Sequence, residues 1–251
     1  MKITIITATK NNATTLEKTI KSVADQTYDD IDYIIVDGAS SDESINIIKK
    51  WVSLYPNKIR YVSEPDSGVY SALNKGIAMA DGDIIGILHG NDSFSSNDVV
   101  ERVATIMRDK DIPFVYGDIH YIGKDGEMVR YYSSEKFDCS MLKIGIAPPH
   151  PSFYVRKSIL DNYGVYRDDY LIGADFEMFV RLMLVNKLSG VYIPMDMVTM
   201  TTGGLSTRLY HQIITNNREK YRALKENSIA FCSILLLKRY LYNLKSLFIR
   251  H

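Results

Sequence analysis

Residues 63–92 read SEPDSGVYSALNKGIAMADGDIIGILHGND, and this stretch decides the fold. Its apolar run IIGIL, residues 84–88, is short, β-branched and preceded by a Gly-Asp pair, which is typical of a buried parallel strand. The run stops abruptly at the sequence HGND. Open α/β sheets bind ligands beyond the carboxyl ends of their strands. Asp92 is therefore a candidate ligand for a hard metal ion beside a phosphorylated molecule.

The sequence before this stretch repeats the same alternation of strands and helices. Strands are predicted at residues 3–8, 33–36 and 59–62, with a helix after each, the third over 68–80. Together with the strand at 84–88 they give the order β-α-β-α-β-α-β. This order predicts an α/β fold with a parallel sheet, right-handed crossovers and helices on both faces.

The second half of the chain is less regular. Helices are predicted over residues 98–109 and 175–186, and strands over 114–116, 119–122 and 128–132 with a hairpin turn at 124–127. Residues 148–151, PPHP, indicate a rigid loop, and residues 201–206 a Gly-rich loop. From about residue 209 onward the pattern favours helix.

Composition narrows the class of protein. The 251 residues are 46% hydrophobic, and the 30 basic side chains match the 30 acidic ones, so a nucleic-acid partner is not expected. Cys139 and Cys232 lack metal-type spacing and indicate a reducing compartment. The N-terminus is not typical of a signal peptide, and no apolar run approaches the length of a membrane span. We therefore expect a cytoplasmic protein.

Several motifs are absent from the sequence. There is no GxGxxG after the first strand, no GxxxxGK[ST] and no GxSxG. Their absence argues against a nicotinamide dehydrogenase, a P-loop NTPase and the common hydrolases. The five histidines have no paired spacing, which argues against a zinc site.

Four polar residues are candidates for chemistry, and each has a structural alternative. Asp37 follows the second strand, where an acid meets a ribose or base, but it would equally cap the next helix. Asp92 also fits a turn. Asp175 fits either a helix N-cap or a general base. His150, between two prolines, is either a contact to phosphate or acceptor hydroxyl or an ordinary loop residue.

Taken in order, the motifs of the chain resemble those of the inverting glycosyltransferases of family 2, in their bacterial polysaccharide-biosynthesis branch. The matching segments, from residue 3 to about 206, are ITIITA (3–8), VDGASSD (36–42), DSGVY (66–70), NKG (74–76), ADGD (80–83), ND (91–92), Asp175 and GGLS (203–206). The resemblance implies a GT-A fold. It also implies a catalytic domain, 1–208, with a nucleotide-sugar half (about 1–110) and an acceptor half (about 111–208), and a helical tail, 209–251.

The resemblance implies a role for each matching residue. Asp175 would be the catalytic base, and Asp92 the ligand of Mn²⁺ or Mg²⁺. His150, Gly203 and Gly204 would belong to the acceptor site or to a lid, although Gly203-Gly204 also fits a plain turn. The nucleotide-sugar, expected to be UDP-linked, would contact Thr7, Ala8, Asp37, Asp66, Asn74, Lys75 and Asn91.

The implied reaction is a single displacement that inverts the anomeric carbon of the donor sugar, with a glycan or lipid-linked acceptor in O-antigen or capsule synthesis. Two residues depart from the family pattern. Asn91 stands where relatives often have Asp, and Ser71 stands where many carry Asp. Two alternatives stay open: a sugar-nucleotide nucleotidyltransferase, disfavoured because the first loop (9–12) lacks glycine, and an inactive nucleotide-sugar-binding module.

The tail carries an amphipathic pattern. Its apolar residues recur at spacings of three and four among basic residues, and they are Ile234, Leu237, Leu241, Leu244 and Phe248. This stripe fits a peripheral contact with the inner face of the cell membrane. It fits equally well a surface packed on the catalytic domain or a homodimer seam.

Overall fold

The computed structural model describes residues 1–123, 125–201 and 209–230. Its strands are β1 (Ile3–Thr9), β2 (Ile31–Asp37), β3 (Ile59–Ser63), β4 (Ile84–Ile87), β5 (Asp92–Phe94), β6 (Phe114–Ile122), β7 (Met128–Tyr132), β8 (Tyr154–Arg156) and β9 (Val191–Thr201). Its α-helices are α1 (Ala13–Ala24), α2 (Ser44–Leu54), α3 (Val69–Met79), α4 (Val99–Met107), α5 (Lys157–Tyr163), α6 (Ala174–Phe179) and α7 (Leu209–Glu226).

These strands form one mixed sheet in the order β3-β2-β1-β4-β8-β6-β9-β5, with β7 paired to β6. Strands β1 to β4 are mutually parallel, as the alternation of strands and helices predicted. Beyond β4 the sheet turns antiparallel at β8, and β6 and β9 run parallel to each other. The predicted α/β fold is confirmed, and a single sheet runs through both halves of the chain.

Strand β1 lies at the centre of the parallel half and is buried along its whole length. Alternate side chains of a strand point to opposite faces. Ile3 and Ile5 join the core under α1 and α4, while Ile6 and Ala8 join the core under α3 and α6. Burying one such isoleucine contributes about 1.5–3 kcal/mol. The apolar run around residue 5 therefore anchors both layers of the fold.

The predictions for the second half need correction. The two strands expected at 114–116 and 119–122 form the single strand β6, and β5, β8 and β9 were not predicted. The helix expected over 175–186 begins as α6 and continues as a π-helical segment, Val180–Val185. The loop expected at 148–151 contains a short 3-10 turn, His150–Ser152. Strands β5, β8 and β9 depend on pairing with distant strands, which local periodicity does not report.

Helix α7 begins where the sequence predicted a helix. Its residues Ala223 and Leu224 are fully buried in the core on the α3 side of the sheet. Gly203, Gly204 and the apolar stripe of the tail lie outside the described residues. Within the described ranges, no helix has the length and apolar character needed to cross a membrane.

Gly86 tests the packing between β4 and β8. It pairs with Tyr154, and a Cβ on Gly86 would lie 2.3 Å from Cε1 of the fully buried Tyr154 ring. Because the ring cannot move into solvent, Gly86→Ala should lower the free energy of unfolding by about 1–3 kcal/mol. Urea denaturation measures this loss. In a Tyr154→Leu background the same change should cost less, and equal costs in both backgrounds would contradict the clash.

Candidate active site

A cavity of about 390 Å³ opens at the carboxyl ends of the parallel strands. It is lined by the end of β1 and the loop after it, by the turn after β2, by the start of α3 and by the loop after β4. These lining residues are Ala8, Thr9, Lys10, Asn12, Gly38, Asp66, Ser67, Gly68, Val69, Ala72, His89 and Asn91. The cavity thus lies where α/β sheets bind ligands, and three residues predicted to bind the nucleotide-sugar, Ala8, Asp66 and Asn91, line it.

Gly90 brings the loop after β4 against the loop after β1. A Cβ at this position would lie 2.6 Å from the hydroxyl oxygen of Thr9 and 3.0 Å from Nδ2 of Asn12. Only glycine allows this approach. Because of it, the neighbouring residues His89 and Asn91 both reach the cavity.

Asp66 lines the cavity, and one of its carboxylate oxygens has no hydrogen-bond partner among the described residues. Its Oδ1 accepts a hydrogen bond of 2.6 Å from Lys75 Nζ, which also pairs with Glu64 at 2.6 Å. Its Oδ2 is buried without a hydrogen-bond partner and lies 3.6 Å from the position of a Cβ on Gly38. A buried oxygen without a partner is costly, so Oδ2 is suited to accept an N–H from a ligand. Lys75 supports the cavity by holding Asp66 rather than by lining it.

Asp37 is fully buried and does not line the cavity. Its oxygens accept bonds from the backbone N–H of Ser40 at 3.1 Å, from the Ser63 hydroxyl at 2.6 Å, and from the Ser40 hydroxyl. These bonds tie the ends of β2 and β3 to the turn at residues 38–42. The structure therefore places Asp37 behind the cavity, and a contact with the nucleotide stays a prediction.

Thr7 and Asn74 also lie away from the cavity lining. The Thr7 hydroxyl is fully buried and donates to the Leu88 carbonyl at 2.6 Å. Asn74 on α3 bonds the backbone of Tyr166 twice: Nδ2 donates to its carbonyl at 2.7 Å, and Oδ1 accepts its N–H at 3.1 Å. Asn74 therefore joins α3 to the segment that precedes Asp175.

Asp175 is the second residue of α6 and is not its N-cap. The N-cap is Gly173, and Asp175 Oδ1 accepts from the Phe176 backbone N–H at 2.7 Å. Burial raises the pKa of Asp175 above its ordinary value, opposed by that N–H and by Lys220, His89 and Tyr70. A carboxylate with a raised pKa is suited to accept a proton near neutral pH. Because Gly173 is the N-cap of α6, the N-cap alternative for Asp175 is wrong.

His89, which lines the cavity, lies next to a second histidine and influences the pKa of Asp175. His89 lines the cavity, and its ring centroid lies 5.6 Å from that of His150. His150 Nε2 lies 2.8 Å from the Tyr166 hydroxyl. Burial lowers the pKa of each histidine to about 4, with the neighbouring ring lowering that of His89 further. Both imidazoles are therefore uncharged at neutral pH and can exchange hydrogen bonds with sugar hydroxyls.

Helix α7 supports the loop before Asp175. The carboxylate of Glu219 accepts three backbone N–H groups, from Leu171 at 2.8 Å, Ile172 at 2.9 Å and Gly173 at 2.8 Å. Lys220 donates to the Gly145 carbonyl at 2.6 Å and lies 4.8 Å from the centre of the Phe176 ring. These contacts fix the start of α6 and hence the position of the Asp175 carboxylate.

The predicted metal ligand does not reach the cavity. Asp92 opens β5 with 1% of its surface exposed, and neither carboxylate oxygen has a hydrogen-bond partner. Burial raises its pKa to about 7. Among the described residues, no group of three His, Cys, Asp or Glu side chains is placed to hold a metal ion. Mg²⁺ at a phosphate site is held by one or two carboxylates together with the substrate phosphates, and the enclosed carboxylate of Asp92 is not among the residues that line the cavity. The described residues therefore do not fit the ion, and the metal role of Asp92 stays a prediction.

His89 and Lys10 line the cavity although the sequence did not single them out as site residues. Each follows the carboxyl end of a predicted strand, which is the position that ligand-binding side chains take in such sheets. That positional signal was available in the sequence. What periodicity could not report was whether each side chain points into the cavity or away from it.

A mixed α/β sheet with a cavity at the carboxyl ends of its parallel strands is the architecture of the GT-A class of fold. The model of the family described as glycosyl transferase family 2 matches residues 4–164, which is more than half of the chain. The chain belongs to glycosyl transferase family 2.

Sequence relatives include bacterial glycosyltransferases. An uncharacterized glycosyltransferase of Mycobacterium tuberculosis (strain ATCC 25618 / H37Rv) is 32% identical over 190 residues, which cover 73% of this chain and 69% of that protein. A PGL/p-HBAD biosynthesis glycosyltransferase of Mycobacterium bovis (strain BCG / Pasteur 1173P2) is 28% identical over 178 residues, covering 70% of this chain and 68% of that protein.

Solved structures share the fold. S. aureus TarS 1-349 matches with a TM-score of 0.67 and 16% identity over 89% of this chain, and its complex with UDP-GlcNAc with a TM-score of 0.66 at the same identity and coverage. The mannosyltransferase PcManGT from Pyrobaculum calidifontis, solved with GDP-Man and Mn²⁺, matches with a TM-score of 0.66 and 17% identity over 88% of this chain. The chain spans 65% of TarS 1-349 and 64% of PcManGT.

Asn74 should act on stability and on the position of Asp175. Asn74→Ala leaves two backbone groups of Tyr166 unpaired and should lower the free energy of unfolding by about 1–3 kcal/mol. Denaturant titration measures this loss, and nucleotide affinity should stay near that of the wild type. The control is Asn46→Ala on the exposed face of α2. A stability no lower than that of the control would contradict the tether.

Asp37 and Asp66 should separate stability from binding. Asp37→Ala removes the acceptor for three internal bonds and should lower the free energy of unfolding by about 1–3 kcal/mol. Asp66→Ala removes the free oxygen at the cavity and should mainly weaken nucleotide binding. Melting temperature and UDP affinity measured on both variants test this division. The reverse pattern would make Asp37 the direct nucleotide contact.

Proposed function

We propose that this chain is an inverting glycosyltransferase. It moves a sugar from a nucleotide-sugar, UDP-linked, to a hydroxyl of a glycan or lipid-linked acceptor in bacterial surface-polysaccharide synthesis. The observation that carries the proposal is the partly buried carboxylate of Asp175, which has a raised pKa and interacts electrostatically with His89, a residue that lines the cavity. A proton acceptor beside a nucleotide-sized cavity is what a single displacement at an anomeric carbon requires.

The proposed reaction is one substitution. The acceptor hydroxyl oxygen bonds to the anomeric carbon, its proton passes to Asp175, and the bond from that carbon to the donor phosphate breaks, releasing the nucleoside diphosphate. Attack from the face opposite the leaving group inverts the anomeric configuration, by the stereochemical logic that applies to glycosidases. The neutral rings of His89 and His150 are suited to orient sugar hydroxyls without competing with Asp175 for the proton.

The donor assignment rests on Asp66 and on the solved structures. Asp66 lines the cavity, and its unpartnered Oδ2 is an acceptor that suits an N–H of a base, such as N3–H of uracil. TarS has been solved with UDP and with UDP-GlcNAc, and PcManGT with GDP-Man. These complexes support a nucleoside diphosphate sugar as donor, and we assign the base as uracil. We assign Ala8, Asn91 and Lys75 to the same donor site.

The acceptor assignment rests on a relative. The M. bovis relative is named for PGL/p-HBAD biosynthesis, which supports a lipid-linked acceptor. We assign His150 to the acceptor side of the site because it lies beyond His89 as seen from the cavity. An O-antigen or capsule precursor is the acceptor class proposed for this chain.

Two alternative activities make different products. A nucleotidyltransferase would release pyrophosphate, whereas an inactive binding module would release nothing. A glycosyltransferase releases UDP from a UDP-sugar only in the presence of an acceptor hydroxyl or, slowly, of water. Assays for UDP and for pyrophosphate on the full chain, with a panel of UDP-sugars, distinguish the three.

Asp175→Asn tests the general base. The amide keeps the size of the side chain and accepts the Phe176 N–H, but it cannot take a proton. The rate of UDP release should fall roughly 10²- to 10⁴-fold, the range for loss of a general base, while UDP affinity stays near that of the wild type. Asp168→Asn, an exposed carboxylate in the segment before α6, is the control. A rate close to that of the control would remove the assignment.

The pH profile gives an independent test of Asp175. Only the ionised carboxylate accepts a proton, and burial raises its pKa above the ordinary value. The quantity kcat/KM should therefore fall as the pH decreases through that raised pKa, and it should level off above it. The acidic limb should vanish in Asp175→Asn. An unchanged limb in the variant would assign the titration to another group.

A further inference from the structure

Lys10 is a cationic residue that lines the cavity. Its stem crosses the turn after β2, where a Cβ on Gly38 would lie 3.3 Å from Lys10 Cδ. The side chain is exposed and lines the cavity. Across the described residues no carboxylate forms an ion pair with it, whereas Lys75 pairs with both Glu64 and Asp66.

The loop that carries Lys10 is held in place by the loop after β2. The Asn11 N–H donates to the Ser40 hydroxyl at 2.8 Å, and Asn11 Oδ1 accepts the Ser41 N–H at 2.8 Å. The Ala13 N–H donates to Asp42 at 3.0 Å. A side chain on a loop fixed at three points needs little ordering when a ligand binds.

The residues opposite Lys10 are unsuited to hold a divalent cation. The loop after β4 offers the cavity an imidazole from His89 and an amide from Asn91. The carboxylate of Asp92 is buried elsewhere, and that of Asp66 is held by Lys75. The charge that the described residues present to an incoming diphosphate is therefore the ammonium of Lys10.

We propose that Lys10 binds the diphosphate of the donor in place of a divalent metal ion, so that donor binding does not require a metal. This inference rests on the proposed function. When the glycosidic bond to phosphate breaks, the electron pair stays on the phosphate oxygen and the leaving group gains a negative charge. The ammonium donates up to three N–H bonds to phosphate oxygens and offsets that charge where it develops.

Calorimetry of UDP and uridine binding to the full chain tests the inference, with EDTA and with Mn²⁺. In the wild type, UDP should bind equally well in both. Lys10→Ala should weaken UDP binding by roughly 10- to 100-fold, the range for losing a charge-assisted contact, and leave uridine binding unchanged. Lys10→Arg should keep most of the affinity. Asn91→Asp restores a carboxylate to the loop after β4 and should make UDP binding respond to Mn²⁺.

The outcomes separate this inference from the function on which it rests. If wild-type UDP affinity drops about tenfold or more in EDTA, a metal ion is needed to bind the diphosphate. The inference is then overturned, while the proposed function stands. If Lys10→Ala weakens uridine as much as UDP, Lys10 only shapes the loop, which also overturns it. If neither UDP nor uridine binds under any condition, the proposed function fails as well.

Discussion

The side-chain amide of Asn74 fixes the distance between the cavity and the segment that leads to Asp175. Helix α3, which carries Asn74, borders the cavity, and the Tyr166 backbone to which it bonds leads toward α6 and Asp175. Tyr166 is buried and Asn74 is partly buried, so these amide hydrogen bonds are costly to lose. The Tyr70 hydroxyl adds a second link from α3 to the Ile172 carbonyl, just before α6. The separation between the cavity and the Asp175 carboxylate therefore depends on a few partly buried polar contacts between α3 and the loop that leads into α6.

The parallel half of the fold could be predicted because its strands are apolar on both faces and separated by amphipathic helices. The antiparallel half could not, and β9 shows why. It contains Pro194, its buried residues do not alternate, and its register with β6 shifts twice near Asp118. A strand of this kind is defined by its partners rather than by its own periodicity. Since β5 is paired only with β9, the short strand that begins at Asp92 was hidden for the same reason.

The candidate site could be predicted to the level of loops but not of side-chain directions. Asp37 and Asp66 both follow strands of the parallel half, and sequence alone gave them the same role. The structure separates them, because the neighbours of Asp37 satisfy its oxygens whereas Asp66 keeps one oxygen free. The sequence also identified Asn91 as a departure from the family pattern, although it could not show that Asp92 turns into the interior. Which of two adjacent polar residues faces a ligand is decided by tertiary packing.

Glu219 connects helix α7 to the backbone at the start of α6. Its carboxylate accepts hydrogen bonds from three consecutive backbone N–H groups just before Asp175. One turn further along the same helix, Ala223 and Leu224 are buried in the core. Exchange of modules between relatives is consequently constrained. A chimera joined near residue 208 would keep the cavity of one relative. The loop before Asp175 would then have to be bound by a carboxylate from the helix of the other relative. An acidic residue at the position that corresponds to Glu219 would then decide whether the two parts of the chimera are compatible.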